Sequence, residues 1–376
     1  MVTEKNMAIE VLRRRRSRLR RVVCAHFVLE HDLVDMRNAV RMYLQVGALI
    51  RRSVSRAGRV GGVTFNVNMI FAQESLSTVR FLPFDVGRLA AALHLDADFA
   101  LRWYLVDATE CLAIVLRRLA SPAHWVDLEV IFGRCRSSLS EVSCRTMDRL
   151  VTKWGYRMTR WRAEFMAERA AVYADAVRRR GAPLQTCVGV IDVTAIRVSR
   201  PCGGLQRACC SGHKRRQVLT FQSVTTPDGL VFHMYGPHEG RRNDTVMYYE
   251  SGQDEDLRQT LLIDGVQHCL YGDSAYVLRA WMPTGHRNRP NQNEAERVFD
   301  LSMSRDHEMV EWGYQDIKQY FTTLDFQRKL KIRGTAVGKQ YLSGALLCNI
   351  RSCLYGNLTA SYFGCDPPSL ERYLSD

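Results

Sequence analysis

The sequence predicts two parts in series: an all-α helical region, then an α/β domain built on a mixed sheet. Three observations carry this. From Phe81 to about Ala174 apolar residues recur at three- and four-residue spacing, the period of a helix with one buried face. Near Gln185 the composition turns to valine, isoleucine and threonine in runs of strand length. Beyond those runs, strand and helix patterns alternate, which is the order of an α/β layer structure. The expected boundaries are a basic arm and peripheral segment over 1–75, a helical DNA-binding region over 76–180, a catalytic domain over 185–355 and a C-terminal tail over 356–376.

In the helical part, "DVGRLAAALHL", "ATECLAIVLRRLA" and "VSCRTMDRLVTKW" each place apolar residues on one face. Between the last two, "HWVDLEVIFGRCRSSLSEV" reads as a helix ending at Gly133, a short turn and a second helix starting near Ser138. Ser138 or Ser140 is placed to cap that second helix, with Glu141 in its first turn. A helix, a glycine-bearing turn and a basic second helix make a helix-turn-helix candidate, with Arg134, Arg136, Arg145 and Arg149 as its DNA contacts. An ordinary helical hairpin has the same pattern.

In the second part, "TCVGVIDVTAIRVSR" reads as a strand. "QVLTFQSVTTPDGLVFHMYGP" reads as two strands joined at Pro-Asp-Gly. A helix through "DTVMYYESG" and one strand candidate in "LIDGVQHCLYGDSAY" follow, then an exposed loop in "RNRPNQNEAER". "MVEWGYQDIKQYFTTL" returns to helical spacing, with Val310, Tyr314, Ile317 and Phe321 on one stripe, and "QYLSGALLCNIRSCLYG" is a last helix.

Within this order three acids draw notice. Asp192 lies inside the first strand, where a lone charge is costly. Asp273 follows the last strand. Glu311 stands one residue off the apolar stripe, with Gln315 and Lys318 at i+4 and i+7. If the two strands are neighbours, the carboxylates face one another and repel, and a divalent cation held by oxygen ligands, Mg2+ or Mn2+, resolves the repulsion. Taken one at a time, each acid also has a plain reading: a turn former at 273, a capped Asp at 192, a solvated Glu at 311.

The chain of 376 residues is 46% hydrophobic, which is a globular composition, and carries a formal net charge of +14. Such a balance favours polyanion partners, above all nucleic acid, with a basic surface kept for solubility as the plain alternative. The densest basic run, "VLRRRRSRLRRVV" at 11–23, fits a nuclear localisation signal, a DNA-contacting arm or a solvated helix face. No stretch approaches the roughly 18–20 apolar residues of a membrane span, and Met1–Arg21 has no apolar core of a secretory signal. The twelve cysteines show no recurring CxxC pair, so a zinc site and a disulfide framework are both unexpected, and reduced thiols in an intracellular compartment are the reading.

The segments "GVIDVTAIRVSRP", "MYGPHEGRRNDTVMYYESG", "LYGDSAYVL" and "VEWGYQDIKQYF" resemble, in order, the successive motifs of PIF/Harbinger-type DDE transposases, over roughly residues 185–355. Upstream, "DATECLAIVLRRLASPAHWVDLEVIFGRCRSSLSEV" resembles the helical region that precedes the catalytic domain there. The resemblance implies an RNase H-like mixed sheet, with which the strand order above agrees. It implies Asp192, Asp273 and Glu311 as catalytic metal ligands, Asp244 as an auxiliary metal-associated aspartate, and Mg2+ or Mn2+ as cofactor. Asp244 also suits the N-cap of the helix it begins. Three positions depart from the family pattern: Val193 for glycine, Asn243 for histidine and Asp300 for asparagine.

The implied activity is metal-dependent cleavage and transfer of DNA strands, in the nucleus, with the cytoplasm as a second location. The alternatives are a domesticated transposase that only binds DNA and a nuclease without transposition. DNA is the expected partner, no membrane is involved, a separate Myb-like DNA-binding protein is implied by the resemblance, and a homodimer is a candidate assembly. Arg241 and Arg242 beside Asp244, Lys214, Arg215 and Arg216 in "CCSGHKRRQ", and Lys318 are the expected phosphate contacts of this domain. A basic hairpin tip also occurs simply as a solvated turn.

Overall fold

The structure is a computed structural model and describes residues 75–95, 106–212, 214–286, 292–332 and 334–375. The basic run at 11–23 and the first part of the expected loop, 287–291, lie outside the described residues. The described chain divides into two compact units. Unit 1 holds the described residues within 82–114 and 123–146; unit 2 holds 75–81, 115–122 and the described residues from Met147 on.

Unit 1 is helical. Helix α1 is Pro83–Ala92, with proline at its start where a missing N–H costs nothing. Helix α2, Ala108–Ala120, and helix α4, Arg136–Trp154, contribute residues to both units. Helix α3 is Trp125–Phe132 and ends where Gly133 turns left-handed at φ 61°. The following helix starts at Arg136 rather than near Ser138, and neither Ser138 nor Ser140 caps it. Glu129 does so from α3, its carboxylate accepting the Arg136 N–H at 2.6 Å. An acid seven residues upstream thus replaces the local serine cap.

Unit 2 is an α/β structure. Strand β1 (Cys187–Arg197) pairs antiparallel with β3 (Arg216–Thr225), which pairs antiparallel with β4 (Val231–Glu239) and, at its start, with the two-residue β2 (Cys210–Ser211). The β3–β4 hairpin turns at Pro227-Asp228-Gly229, as the sequence indicated, with Gly229 at φ 74°. The single strand expected in "LIDGVQHCLYGDSAY" is instead three pieces. Asp264 and Gly265 both take positive φ and fold β5 (Leu262–Ile263) onto β6 (Val266–Gln267) as a separate hairpin. Only β7, Cys269–Gly272, joins the main sheet, parallel to β1. The result is a mixed five-stranded sheet, β2-β3-β1-β7 with β4 on β3.

Helices cover the sheet. Helix α5 (Ala163–Arg179) packs on β1, α6 (Asp244–Glu250) on β3, α8 (Glu294–Tyr320) on β1 and β3, and α9 (Val337–Tyr355) on β4; α7 (Gln253–Thr260) follows α6. Helix α8 starts inside the segment expected to be loop, because Asn293 and Glu296 form a capping box, each side chain taking the other's backbone N–H. Gly313 lets α8 lie close on β3; a Cβ there would stand 3.3 Å from Thr225 Oγ1. The core joins Met166, Tyr173, Val190, Ile191, Leu270 and Val310, each contributing about 1.5–3 kcal/mol by leaving water. Behind Gly356, helices Leu358–Phe363 and Leu370–Leu374 fold back, and the Tyr373 hydroxyl accepts from Asn349 of α9. No described helix is long and apolar enough to cross a membrane.

Candidate active site

The sheet register builds the site. Ile191 on β1 pairs with Gly272, the last residue of β7, in parallel. The next residue on each strand is therefore Asp192 and Asp273, two carboxylates leaving neighbouring strands at one level, with strands about 4.8 Å apart. On its other side Asp192 pairs with Ser223 of β3. The Ser223 hydroxyl donates to the Tyr314 hydroxyl at 2.8 Å, and Tyr314 donates to the Asp192 carbonyl at 2.7 Å. This relay ties α8 to the backbone that carries the first aspartate.

Asp244 is the first residue of α6, half-buried, and Asn243 rather than Asp244 is the cap: its side chain accepts the Thr245 N–H at 2.9 Å. The asparagine that departs from the family pattern thus performs the capping expected of Asp244. The carboxylate of Asp244 is left at the positive end of the helix. Thr245 hydrogen-bonds the Ala275 carbonyl at 2.5 Å, holding the start of α6 against the loop after Asp273.

The charges of these groups act on one another. Burial raises the Asp192 carboxyl to about 6. His307 and the Val193 N–H pull it down, and the charges of Asp273 and Asp244 push it up. Tyr276 is buried with its hydroxyl raised well above its ordinary value, first by burial and then by Asp192, Tyr314, Asp244 and Asp273. That hydroxyl has no hydrogen-bond partner. Three carboxylates thus act on one orphaned buried oxygen.

Glu311 is exposed on α8, four residues after His307 and three before Tyr314, so helical spacing puts all three on one face. Glu308 stands a third of a turn away from Tyr314 on that helix and does not share the stripe. Among the described residues no three His, Cys, Asp or Glu side chains stand ready around one point for an ion. Asp273 turns one oxygen to the Ala275 N–H at 2.9 Å. Asp192, Asp244, Asp273 and Glu311 offer oxygen donors alone, which suit a hard divalent ion, and the first three act on the orphaned Tyr276 hydroxyl.

The basic candidates fare differently. Arg134 is buried, held bidentate by Glu110 at 2.5 and 2.7 Å, and is a core ion pair rather than a surface contact. Its reading as a DNA contact is corrected on that ground. Arg136 and Arg145 are exposed, beside Glu129 at 3.4 Å and Glu141 at 3.0 Å. Arg241 and Arg242 pair with Glu239 and Glu250. Lys214, Arg215 and Arg216 are exposed on the turn into β3, and Lys318 is half-buried on α8. Sequence reasoning did not single out Tyr276 or His307. The four-residue step from His307 to Glu311 was a usable signal for the second; an aromatic after "GDSA" reads only as core.

Residues 191–349 match the family described as DDE superfamily endonuclease, a span from within β1 through most of α9. Protein ALP1-like from Arabidopsis thaliana is 20% identical over 219 residues, covering 51% of this chain and 51% of that protein. The chain thus spans about half the length of the curated relative it matches. No solved structure matches. Most of the sheet and of its covering helices, and the carboxylates they present, thus lie in the part of the chain that is similar to the DDE superfamily endonuclease domain.

Proposed function

We propose that the protein is a divalent-metal-dependent DNA endonuclease of the PIF/Harbinger transposase type, with an RNase H-like catalytic core, acting in the nucleus. The observation that carries the reading is the parallel register of Ile191 with Gly272, which delivers Asp192 and Asp273 to one level of adjacent strands. Asp192, Asp273 and Glu311, with Asp244 as auxiliary, would hold one or two Mg2+ or Mn2+ ions, which supply Lewis-acid stabilisation of the attacking and leaving oxygens of a phosphodiester.

The protein's own residues then have distinct tasks. Asp192 is held in place by the Tyr314–Ser223 relay, so its carboxylate has a fixed origin. Glu311 comes from the helix that the same relay anchors. Tyr276 offers a hydroxyl beside the carboxylates. The nucleophile is water for cleavage and a freed 3′-hydroxyl for strand transfer, and the carboxylates position rather than accept protons. Helix α4, through Arg136 and Arg145, is the duplex-binding element of a helix-turn-helix, reading phosphates with salt-dependent affinity. A Myb-like partner and a homodimer complete the family-type assembly.

The test is Asp273→Asn, which keeps size and removes one charge. Strand cleavage of a duplex with Mg2+ or Mn2+ should vanish while binding persists, because phosphate contacts supply most of the affinity. Equal cleavage by wild type and variant removes Asp273 from the site. Binding without cleavage by either protein, with DNA ends and partner supplied, selects a domesticated DNA-binding protein instead. Cleavage without strand transfer selects a plain nuclease.

A further inference from the structure

Outside the carboxylate site, the end of β1, the start of β3 and the C-terminal half of α8 enclose a cleft of about 520 Å3. Four cations line it, Arg197, Lys214, Arg216 and Lys318, against a single acid, Asp325. Among the described residues none of the four closes an ion pair, whereas Arg241 and Arg242 are both neutralised by glutamates. Lys318 is half-buried, and its ammonium is depressed by burial and by the nearby charges of Lys214 and Arg197, although Asp325 opposes this. A second cleft of about 650 Å3 shares Arg197 and Arg216 and adds Arg200 and Arg215. Like charges gathered in a concavity raise the energy of the free protein, and an anion relieves it.

We infer that this cleft seats the phosphodiester backbone of the DNA strand three to five nucleotides from the bond that the carboxylates act on. The spacing follows from the elements. Arg197 is five residues beyond Asp192 on β1, about 16 Å at ~3.3 Å per residue. Lys318 is seven residues beyond Glu311 on α8, about 10 Å at ~1.5 Å per residue. At ~3.4 Å of axis per nucleotide, these lengths correspond to about three to five nucleotides. The distance, though not the presence of an anion site, rests on the endonuclease reading.

Binding decides the cleft. The full chain carrying Asp273→Asn is titrated in EDTA with a fluorescently labelled duplex of one fixed sequence, over roughly 50 to 200 mM salt. Adding Arg197→Gln and Lys318→Met should weaken binding and flatten the log–log salt slope by about one per lost cation, while circular dichroism stays unchanged. Asp325→Asn, which cannot remove a contact to phosphate, should tighten it, and this variant decides the matter if the double variant fails to fold. Unchanged affinity and slope in the double variant, or no tightening with Asp325→Asn, overturns the proposal. With the cleaving chain, neutral methylphosphonate linkages three to five nucleotides from the cut should weaken binding by wild type and leave the double variant unaffected; an effect that the double variant abolishes at other linkages instead overturns the spacing. Binding that follows this pattern without any cleavage sinks the endonuclease reading alone.

Discussion

Asp192→Asn in the metal-free protein should stabilise it, by an amount that depends on pH. Burial raises this carboxyl from an ordinary 3.8 to about 6. Between those values the folded protein holds a proton that the unfolded chain has released, so stability falls as pH rises through the window. Above about pH 6 the folded state carries a half-buried charge beside Asp273 and Asp244. A rise of about two pH units at ~1.4 kcal/mol each sets the penalty at ~3 kcal/mol, with the opposing pull of His307 already included. Asp306, raised to about 7, and Asp316, raised to about 6, titrate in the same range, but they cancel when variant is compared with wild type. The assay is urea denaturation of both proteins in EDTA from about pH 8 down to about pH 4, and again in excess Mg2+. The variant should be more stable at the upper end, the gap should close towards the lower end, and Mg2+ should stabilise wild type by ~2.7 kcal/mol at a hundredfold excess over Kd while leaving the variant nearly unmoved. A pH-independent gap, or a less stable variant at pH 8, refutes the reasoning.

Other outcomes follow from the same structure. Glu110→Gln removes the carboxylate of the buried Glu110–Arg134 ion pair and should cost about 3–5 kcal/mol in thermal or chemical denaturation, with no specific effect on DNA affinity at low temperature. Gly229→Ala forces a Cβ into Asn357 Oδ1 at a residue of φ 74°, so the β3–β4 turn should lose more than ~1 kcal/mol by the same measurement. Tyr314→Phe cuts the relay to Asp192 and should cost about 1–2 kcal/mol and slow cleavage without changing affinity for duplex DNA. Arg136→Ala and Arg145→Ala should each lower the salt slope of duplex binding by about one if α4 contacts phosphates.

Much of the fold was legible because periodicity reports burial. The Val/Ile/Thr run around Asp192, the Pro-Asp-Gly turn and the stripe on α8 each became the expected element. The register of Asp192 with Asp273 was legible only as a conditional, since strand adjacency is a long-range fact that two short runs do not encode. The Asp264-Gly265 turn splitting one strand into a hairpin and β7, and the Asn293–Glu296 box starting α8, were local signals present in the sequence and outweighed by their surroundings. Arg134 shows the opposite limit. Its neighbours are basic and its setting polar, and nothing nearby reveals that Glu110, twenty-four residues back, takes it into the core. For Tyr276, burial looked like hydrophobic packing, and only three-dimensional placement shows the carboxylates around its hydroxyl.

Strand β7 is four residues long and is engaged on both sides. Toward β1 it has its parallel partner; on the other side the Leu270 and Gly272 N–H groups donate to the carbonyls of Trp281 and Pro283, and Gly285 donates back to Gly272. The rim of the sheet beside Asp273 is therefore already covered by the chain's own next segment. A foreign strand, whether from a second copy or from a misfolded neighbour, could add there only by first peeling away residues 281–285, so the part of the sheet that carries the carboxylates is guarded against templated aggregation.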